Sequence, residues 1–293
     1  MRETTGASVT KQTADSVAIL GATSLVGEPM VRLLAASGSQ VLAYSRRAHA
    51  STDAHCQWRQ LGGAAPEPAT RWISAIPIWT LPQHFARIEA SGARHVVQLS
   101  STSQFTKLNS PDPAEAALAK RLIEGERAFE AWAEACGIAW TVLRPTLIYG
   151  AGRDRNVSEI ARFVRRFGFF PLMGSARGLR QPVAAEDVAR ACIGALDSPL
   201  AVNRAYNISG AETLTYRGMI ERVFASMGRR PLTPSIPLPL FAAAVACLRL
   251  LPRYRHWNVA MAERMNTDMV FDHDAATKDF GYAPSPFAPG PFL

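Results

Sequence analysis

Cysteine is scarce in this 293-residue sequence. Cys56, Cys136, Cys192 and Cys247 lie far apart, and no two form a CxxC pair. That spacing argues against a disulfide framework or a zinc ribbon and fits a cytoplasmic chain kept in a reducing compartment. The six histidines are equally dispersed and none forms HExxH, so the pattern asks for no metal. Charged residues are few, 19% against 48% hydrophobic, which excludes an intrinsically disordered chain. Residues 1–14 lack the apolar core of a secretion signal and read as a disordered tail. No run reaches the ~20 apolar residues that cross a bilayer. The nearest is 236–251, IPLPLFAAAVACLRLL, interrupted by Arg249 and followed by Arg253, Arg255, His256 and Trp257. It reads as a buried helix, with a weak membrane-surface contact through 236–257 as the other reading.

What the chain does have is positive charge. A formal net charge of +8 favours an anionic small-molecule substrate or ligand, such as a nucleotide or pyrophosphate. A basic protein with no special partner fits the same number. Without an RNA-binding or zinc-finger signature, no nucleic acid is expected as a partner.

The first half alternates between two hydrophobic periods. Short apolar runs at 16–20 (SVAIL), 40–44 (QVLAY), 72–76 (WISAI), 95–99 (HVVQL) and 139–143 (AWTVL) predict strands. Helical patterns lie between several of them, at 25–34, 81–90 and 113–136. Such alternation predicts right-handed βαβ units and a Rossmann-type, doubly wound parallel sheet, an α/β fold. Between Ser51 and Thr70 the expected third unit is shortened and shows no clear helix. After Gly150 helical stretches at 156–168, 186–197 and 215–227 alternate with Pro- and Gly-bearing loops. The expected division is a nucleotide-binding domain over 15–150 and a smaller, mostly helical substrate lobe over 151–293, interleaved with the core.

The most informative local pattern is Gly21-Ala22-Thr23-Ser24-Leu25-Val26-Gly27, placed between the first strand and an amphipathic helix. Gly21 permits a tight turn, Gly27 lets the helix pack close to the sheet, and the helix N-terminus offers N–H groups to a pyrophosphate. The second strand runs into Tyr44-Ser45-Arg46-Arg47. A site specific for NAD would place a carboxylate there, about 20 residues beyond the glycines, for the ribose 2′-hydroxyl. An arginine suits the extra 2′-phosphate of NADP, so NADP is expected, with NAD as the alternative.

These features resemble the extended or atypical short-chain dehydrogenase/reductase superfamily, in particular its NAD-dependent epimerase/dehydratase group. The resemblance runs from Val17 to Phe287. GATSLVG is similar to the family's GxxGxxG, with Ser24 at the usual place of the central glycine. Leu143 to Gly150 (LRPTLIYG) resembles LRPxxxYG, whose proline passes beside the nicotinamide. Gln181 to Ala189 resembles the VxVxDVA segment that joins the second lobe to the core, and 267–287 resembles the family's ending, an Asp-containing strand, an Ala-rich helix and a Gly-Tyr-x-Pro turn. Leu99 to Thr102 is similar to the Ser-rich end of the central strand, which implies Thr102, then Ser101, as the hydroxyl meeting the reacting oxygen. The resemblance is also compatible with a homodimer.

One departure is chemical. The family's YxxxK supplies a tyrosine acid or base and a lysine that lowers its pKa. One register places Leu118 and Leu122 at those positions; a register two residues earlier places Ala116 and Lys120 there. No tyrosine occurs between Tyr44 and Tyr149. A replacement could come from Lys107, Lys120, Glu115 or Tyr149. The candidate catalytic set is therefore Thr102, Ser101 and Lys120. The candidate cofactor set is Gly21, Thr23, Ser24, Leu25, Val26, Gly27, Ser45, Arg46, Ala75, Ile76, Ser100 and Pro145. The expected function is that of an NAD(P)-dependent oxidoreductase or epimerase/dehydratase on a sugar-nucleotide or lipid-linked substrate. Arg153, Arg155, Arg162, Arg165, Arg166, Arg177 and Arg180 are the candidate grip on its phosphates, or else a solvated basic face. The competing class is a catalytically silent NADP-binding sensor or assembly protein.

Overall fold

The computed structural model describes residues 16–50, 53–63, 66–237 and 263–290. The tail at 1–14 and the 238–257 part of the membrane-surface reading lie outside the described residues. Among the described residues no helix is long and apolar enough to cross a membrane.

Seven parallel strands form the central sheet. In chain order they are β1 (Val17–Leu20), β2 (Val41–Ser45), β3 (Cys56–Gln60), β4 (Arg71–Ser74), β5 (His95–Leu99), β6 (Ala139–Pro145) and, far along the chain, β11 (Arg204–Ile208). Their order across the sheet is β11-β6-β5-β4-β1-β2-β3. The order reverses between β1 and β4, and a parallel sheet opens a crevice at the carboxyl ends of the strands at such a reversal.

Strand alternation builds the two faces. Val17 and Ile19 pack with Met30 and Leu34 of α1 (Gly27–Ala36) and with Val188 and Cys192 of α6 (Ala185–Asp197). Ala18 and Leu20 face the other way, onto Trp72, Ile88, Leu122 and Phe129. Both faces are covered, so the strand interiors read as continuous apolar runs. Phe129 belongs to α4 (Pro113–Ala135) and is fully buried, which stabilises the fold by about 1.5–3 kcal/mol relative to exposure. Asp112 caps α4 by accepting the Ala114 N–H at 2.9 Å, and Pro113 suits the first helical position because its missing N–H would be unpaired there.

Two features differ from the sequence-based expectation. The shortened third unit contains a real strand, β3, in parallel register with β2, and no helix is found among the described residues between them. The helix expected at 81–90 is split into a 3-10 turn (Ile78–His84) and α2 (Phe85–Ala90). Pro82 in the turn lacks the N–H that an α-helical ladder needs. After Gly150, α6 packs on the main sheet, β11 joins it, and α8 (Asp274–Phe280) packs on both.

The remaining described part of that segment has its own core. α5 (Val157–Phe167) packs Val157, Ile160 and Val164 against Met219, Val223 and Phe224 of α7 (Tyr216–Ser226). Three two-stranded ladders join it: β7 (Ile148–Tyr149) with β10 (Val183–Ala184), β8 (Leu172–Met173) with β13 (Ser235–Ile236), and β9 (Leu179–Arg180) with β12 (Leu214–Thr215). The Asp-containing strand expected near residue 268 is reduced to a single bridge between Arg180 and Met269.

A buried ion pair joins three elements below the crevice. Arg144 of β6 donates from Nε to both carboxylate oxygens of Glu126 on α4, at 3.1 and 3.0 Å, and from Nη2 at 2.6 Å. Gln104 of α3 (Ser103–Lys107) donates to the same carboxylate at 2.6 Å. Removing one partner strands the others, which costs roughly 3–5 kcal/mol when both charges are buried. Arg144 keeps some exposure, so Glu126→Ala is expected near ~3 kcal/mol of lost stability by urea denaturation. Glu186→Ala, in the exposed Arg32–Glu186–Arg190 cluster, is expected to cost under ~1 kcal/mol in the same assay.

Candidate functional site

The chain leaves β1 through Gly21, whose φ of +78° suits glycine. A Cβ on Gly27 would stand 2.1 Å from the Gly21 carbonyl oxygen, so the first turn of α1 rests on the backbone of the preceding turn. Ser24 uses its hydroxyl locally, accepting the Gly27 N–H at 2.9 Å. The N–H groups of Leu25 and Val26 have no acceptor among the described residues. Two donors at the positive end of a helix, beside a sheet crevice, are suited to an anion.

A cavity of about 360 Å³ opens at the strand-order reversal. Ser24, Leu25 and Val26 form one wall, Ala75 and Ile76 beyond β4 the floor, and Ser100, Ser101 and Pro145 the opposite wall. Leu118 and Leu122 of α4 close it, together with Trp79. The structure thus favours the register in which those two leucines face the crevice. The lining is largely apolar, yet the buried Ser100 hydroxyl has no partner among the described residues. Among the other expected cofactor residues, Thr23 is exposed at the tip of the turn and lines neither this cavity nor its neighbour. Ser45 is buried, and its hydroxyl bonds the Arg47 backbone. Arg46 is exposed just beyond β2, with no carboxylate paired to it among the described residues.

A second cavity of about 590 Å³ adjoins the first; Leu25, Ser101, Ser103 and Ile148 line both. Its cations are Lys107, Arg153, Arg155, Arg180 and Arg264. Three of the seven arginines expected there line it. Arg162, Arg165, Arg166 and Arg177 do not. Arg264, remote in sequence, joins the cavity and was not legible in any motif. Arg153 makes a two-pronged pair with Glu28 at the start of α1, at 3.0 and 2.5 Å, tying the loop after β7 to the nucleotide turn. Arg180 is 5% exposed and spends its donors on the carbonyls of Leu179, Thr267 and Arg264. Burial pushes the Tyr216 hydroxyl beneath it up to about 12, so Tyr216 stays neutral at ordinary pH.

The candidate proton-transfer groups separate clearly. Thr102 is 5% exposed and donates its hydroxyl to the Pro145 carbonyl at 3.2 Å. Ser101 accepts the Ser103 N–H at 3.1 Å and finds no acceptor for its own proton among the described residues. It lies where the cavities meet. Lys120 is exposed on α4 and lines neither cavity, so the structure does not bring it to Ser101 and Thr102. Tyr149 is buried, accepts the Ala288 N–H at 3.2 Å and packs edge-on against Phe287, a structural role. Lys107 does reach the second cavity, with its ammonium 3.5 Å from Glu115. Glu115 also accepts the Ser110 hydroxyl at 2.9 Å and contacts Arg264. Burial lowers the Lys107 pKa, and Arg264 adds to the effect, while Asp112 opposes it. Among the described residues no group of His, Cys, Asp and Glu could hold a metal ion.

With this geometry in view, comparison with known proteins is informative. Residues 84–209 match the model of the NAD dependent epimerase/dehydratase family. Over 155 residues the chain is 28% identical to the mitochondrial NADH dehydrogenase (ubiquinone) 1 alpha subcomplex subunit 9 of Arabidopsis thaliana, covering 49% of this chain and 38% of that protein. Over 153 residues it is 31% identical to a 2-alkyl-3-oxoalkanoate reductase of Shewanella oneidensis, covering 48% and 39%. The matches thus span half or less of the length of these curated relatives. The fold superposes on a UDP-glucuronic acid 4-epimerase from Bacillus cereus in complex with NAD, with TM-score 0.72, 12% identity and 94% of each chain covered. At that identity the likeness shows the fold alone.

The placement of Lys107 generates a test that needs no substrate. It is one of four lysines in the chain, so brief acetylation followed by mass spectrometry resolves it. The midpoint of its reactivity against pH is expected below the ordinary lysine value of about 10.4. Arg264→Gln removes a facing cation and is expected to move that midpoint up. A wild-type midpoint at the ordinary value would show that neither burial nor Arg264 acts on this amine.

Proposed function

We propose that this chain, with its NAD-dependent epimerase/dehydratase segment at 84–209 and its Rossmann-type sheet, is an NADP-binding enzyme of oxidoreductase or epimerase/dehydratase type. The observation that carries this reading is the meeting of two cavities at Ser101, one beneath a helix N-terminus and the other lined by cations. The residues present fit a dinucleotide. Leu25 and Val26 offer free N–H donors to the pyrophosphate, Gly21 and Gly27 let the backbone come close, and the unpartnered Ser100 hydroxyl lies along the crevice. Arg46 supplies the charge that a 2′-phosphate would meet. When bound, the nicotinamide would accept or donate a hydride. NAD is the alternative cofactor, and the Bacillus cereus epimerase is described in complex with NAD.

The substrate proposed for the larger cavity is anionic, of the sugar-nucleotide or lipid-linked class, held by Arg155 and Arg264. Ser101 is the proposed hydroxyl that orients the reacting oxygen, in preference to Thr102, whose proton is already engaged. Lys107 is the proposed proton donor and acceptor: its lowered pKa places it closer to working pH, which is where a general acid–base group acts best. Glu115 positions the ammonium, and Arg264 prevents that carboxylate from binding Lys107 alone.

A second reading is supported by Leu118 and Leu122. Where the family's tyrosine and lysine would meet the reacting carbonyl and the ribose, this crevice presents two isobutyl groups. A positioned general acid or base contributes typically ~10²–10⁴-fold in rate, so their loss favours a silent NADP-binding sensor or assembly protein. The Arabidopsis relative is named as a subunit of a respiratory complex, which keeps this reading in view.

The first experiment is a thermal-shift titration with NAD⁺, NADH, NADP⁺ and NADPH. A ligand at about 100 times its dissociation constant adds ~2.7 kcal/mol of stability, an upward shift of several degrees for a chain of this size. A shift with the NADP pair, lost in Arg46→Ala by ~10-fold or more in affinity, is the expected result. Folded, nucleotide-free protein that shifts with none of the four would end both readings. Where a substrate panel then gives turnover, Lys107→Met is expected to lower kcat by ~10²-fold or more with KM little changed. Tight NADP binding with no turnover across UDP-sugars and 2-alkyl-3-oxoalkanoates would favour the silent protein.

A further inference from the structure

Away from both cavities, the C-terminal end of α5 carries a cluster of phenylalanines on the protein surface. Phe163 and Phe167 lie one helical turn apart with ring centroids 4.6 Å from each other. Phe169, just beyond the helix, meets Phe163 edge-on at 5.8 Å. Phe167 remains 53% exposed and Leu232, whose carbonyl accepts the Phe170 N–H, is 60% exposed. These are among the most exposed large apolar side chains described, and they lie together. Isolated exposed apolar residues need no explanation; a contiguous group does.

The surroundings are cationic. Arg165 and Arg166 occupy the last turn of α5, and the Arg166 guanidinium lies 5.4 Å from the Phe167 ring centroid. Arg229 donates to the carbonyls of Val164 and Arg165, which brings it and the exposed Arg230 to the same helix end. The only carboxylate of α5, Glu159, is at the opposite end and pairs with Arg162. The patch therefore combines one exposed aromatic ring, backed by half-buried ones, with positive charge, and no acidic group of its own helix end.

We infer that the end of α5, with Phe167 and Leu232 as the main apolar contacts beside the half-buried Phe169, and Arg166 and Arg230 as the charged ones, is a docking surface for an anionic lipid bilayer. Rings of this kind settle at the boundary between headgroup and acyl chain, and arginine stems lie along the apolar layer while their heads meet lipid phosphates. Charge points to the occupant: exposed guanidinium groups flank the exposed Phe167 ring, and insertion of that ring into an anionic bilayer needs no complementary surface. Strand β13 pairs with β8, which holds the Leu232 end of its approach against the residues that follow α5.

The test is flotation of the full chain with vesicles of equal parts phosphatidylcholine and phosphatidylglycerol, against vesicles of phosphatidylcholine alone. Binding to the anionic vesicles, weakening as salt rises, is expected. Each surface cation contributes about 1 kcal/mol near such a membrane, so Arg166→Glu with Arg230→Glu is expected to weaken binding by at least ~25-fold. Arg94→Glu with Arg127→Glu makes the same change in net charge on α4 and at the amino end of β5, and should change binding by under ~2-fold if location matters. Phe167→Ser keeps the charge and is expected to weaken binding several-fold, with the thermal midpoint unchanged. Equal losses in the two charge pairs would mean that net charge alone acts, and would overturn the inference. So would binding that survives both patch variants, or no binding to vesicles at all. In the last case a protein partner captured by this patch, and lost in Phe167→Ser, becomes the reading.

Discussion

The carboxylate of Glu126 is the junction on which the arrangement of the site depends. It accepts from Arg144 on the central strand β6 and from Gln104 on α3, while its own helix, α4, carries Leu118 and Leu122 at the crevice. Three elements that contribute to the cavities are thus held to one another through a single charged group. A buried ion pair of this kind contributes little net stability compared with apolar packing, but it penalises any arrangement that separates its members. Its effect is registration. The wall bearing Pro145, the hydroxyl-bearing end of β5 and the helix that would normally carry a proton-transfer dyad cannot slide independently.

The crevice itself follows from a simpler constraint. Gly27 must lie against the backbone of Gly21 and Ala22 for α1 to start where it does, and any Cβ would collide with main-chain atoms that cannot rotate away. That contact aims the N-terminus of α1 at the reversal in strand order. Ser24, where the superfamily pattern has its central glycine, is accommodated by turning its hydroxyl inward onto the Gly27 N–H. The substitution that looks like a departure in sequence becomes a local cap in three dimensions. It satisfies one donor and leaves those of Leu25 and Val26 for a ligand.

The unusual character of this chain lies in the mismatch between its two cavities. The smaller is apolar where the superfamily pattern would place a tyrosine and a lysine; the larger holds several cations and a lysine whose charge is destabilised by burial. The lysine of the larger cavity, Lys107, stands on α3 beside the start of α4, where it meets Glu115. With or without proton transfer there, the same architecture provides a shaped nucleotide site. The binding reading is common to both possibilities and rests on the backbone, the part least sensitive to side-chain replacement.

Much of the fold was legible because backbone periodicity is a local property. Strands β1, β2, β4, β5 and β6 and helices α1, α4, α5, α6 and α7 fall close to their hydrophobic patterns, and Gly21, Ser24, Gly27, Ala75, Ile76, Ser100 and Pro145 come together because consecutive βα units deliver strand ends to one edge. β3 and β11 were not legible: CQWRQ and RAYNI lack a clear apolar run, and each is a strand because a neighbour in the sheet supplies its hydrogen bonds. The functional side chains were less legible still. Lys107 and Lys120 were both open as candidates in the sequence, and only the packing of α3 and α4 turns one into the cavity and the other to solvent. Thr102 and Ser101 are likewise neighbours, separated by which hydroxyl reaches the Pro145 carbonyl. Sequence determined five of the seven sheet strands, the glycine turn after β1 and the missing tyrosine, because these depend on residue type and spacing along the chain. Tertiary structure decided which charges face the cavity, because direction and burial are set by contacts between segments far apart in it.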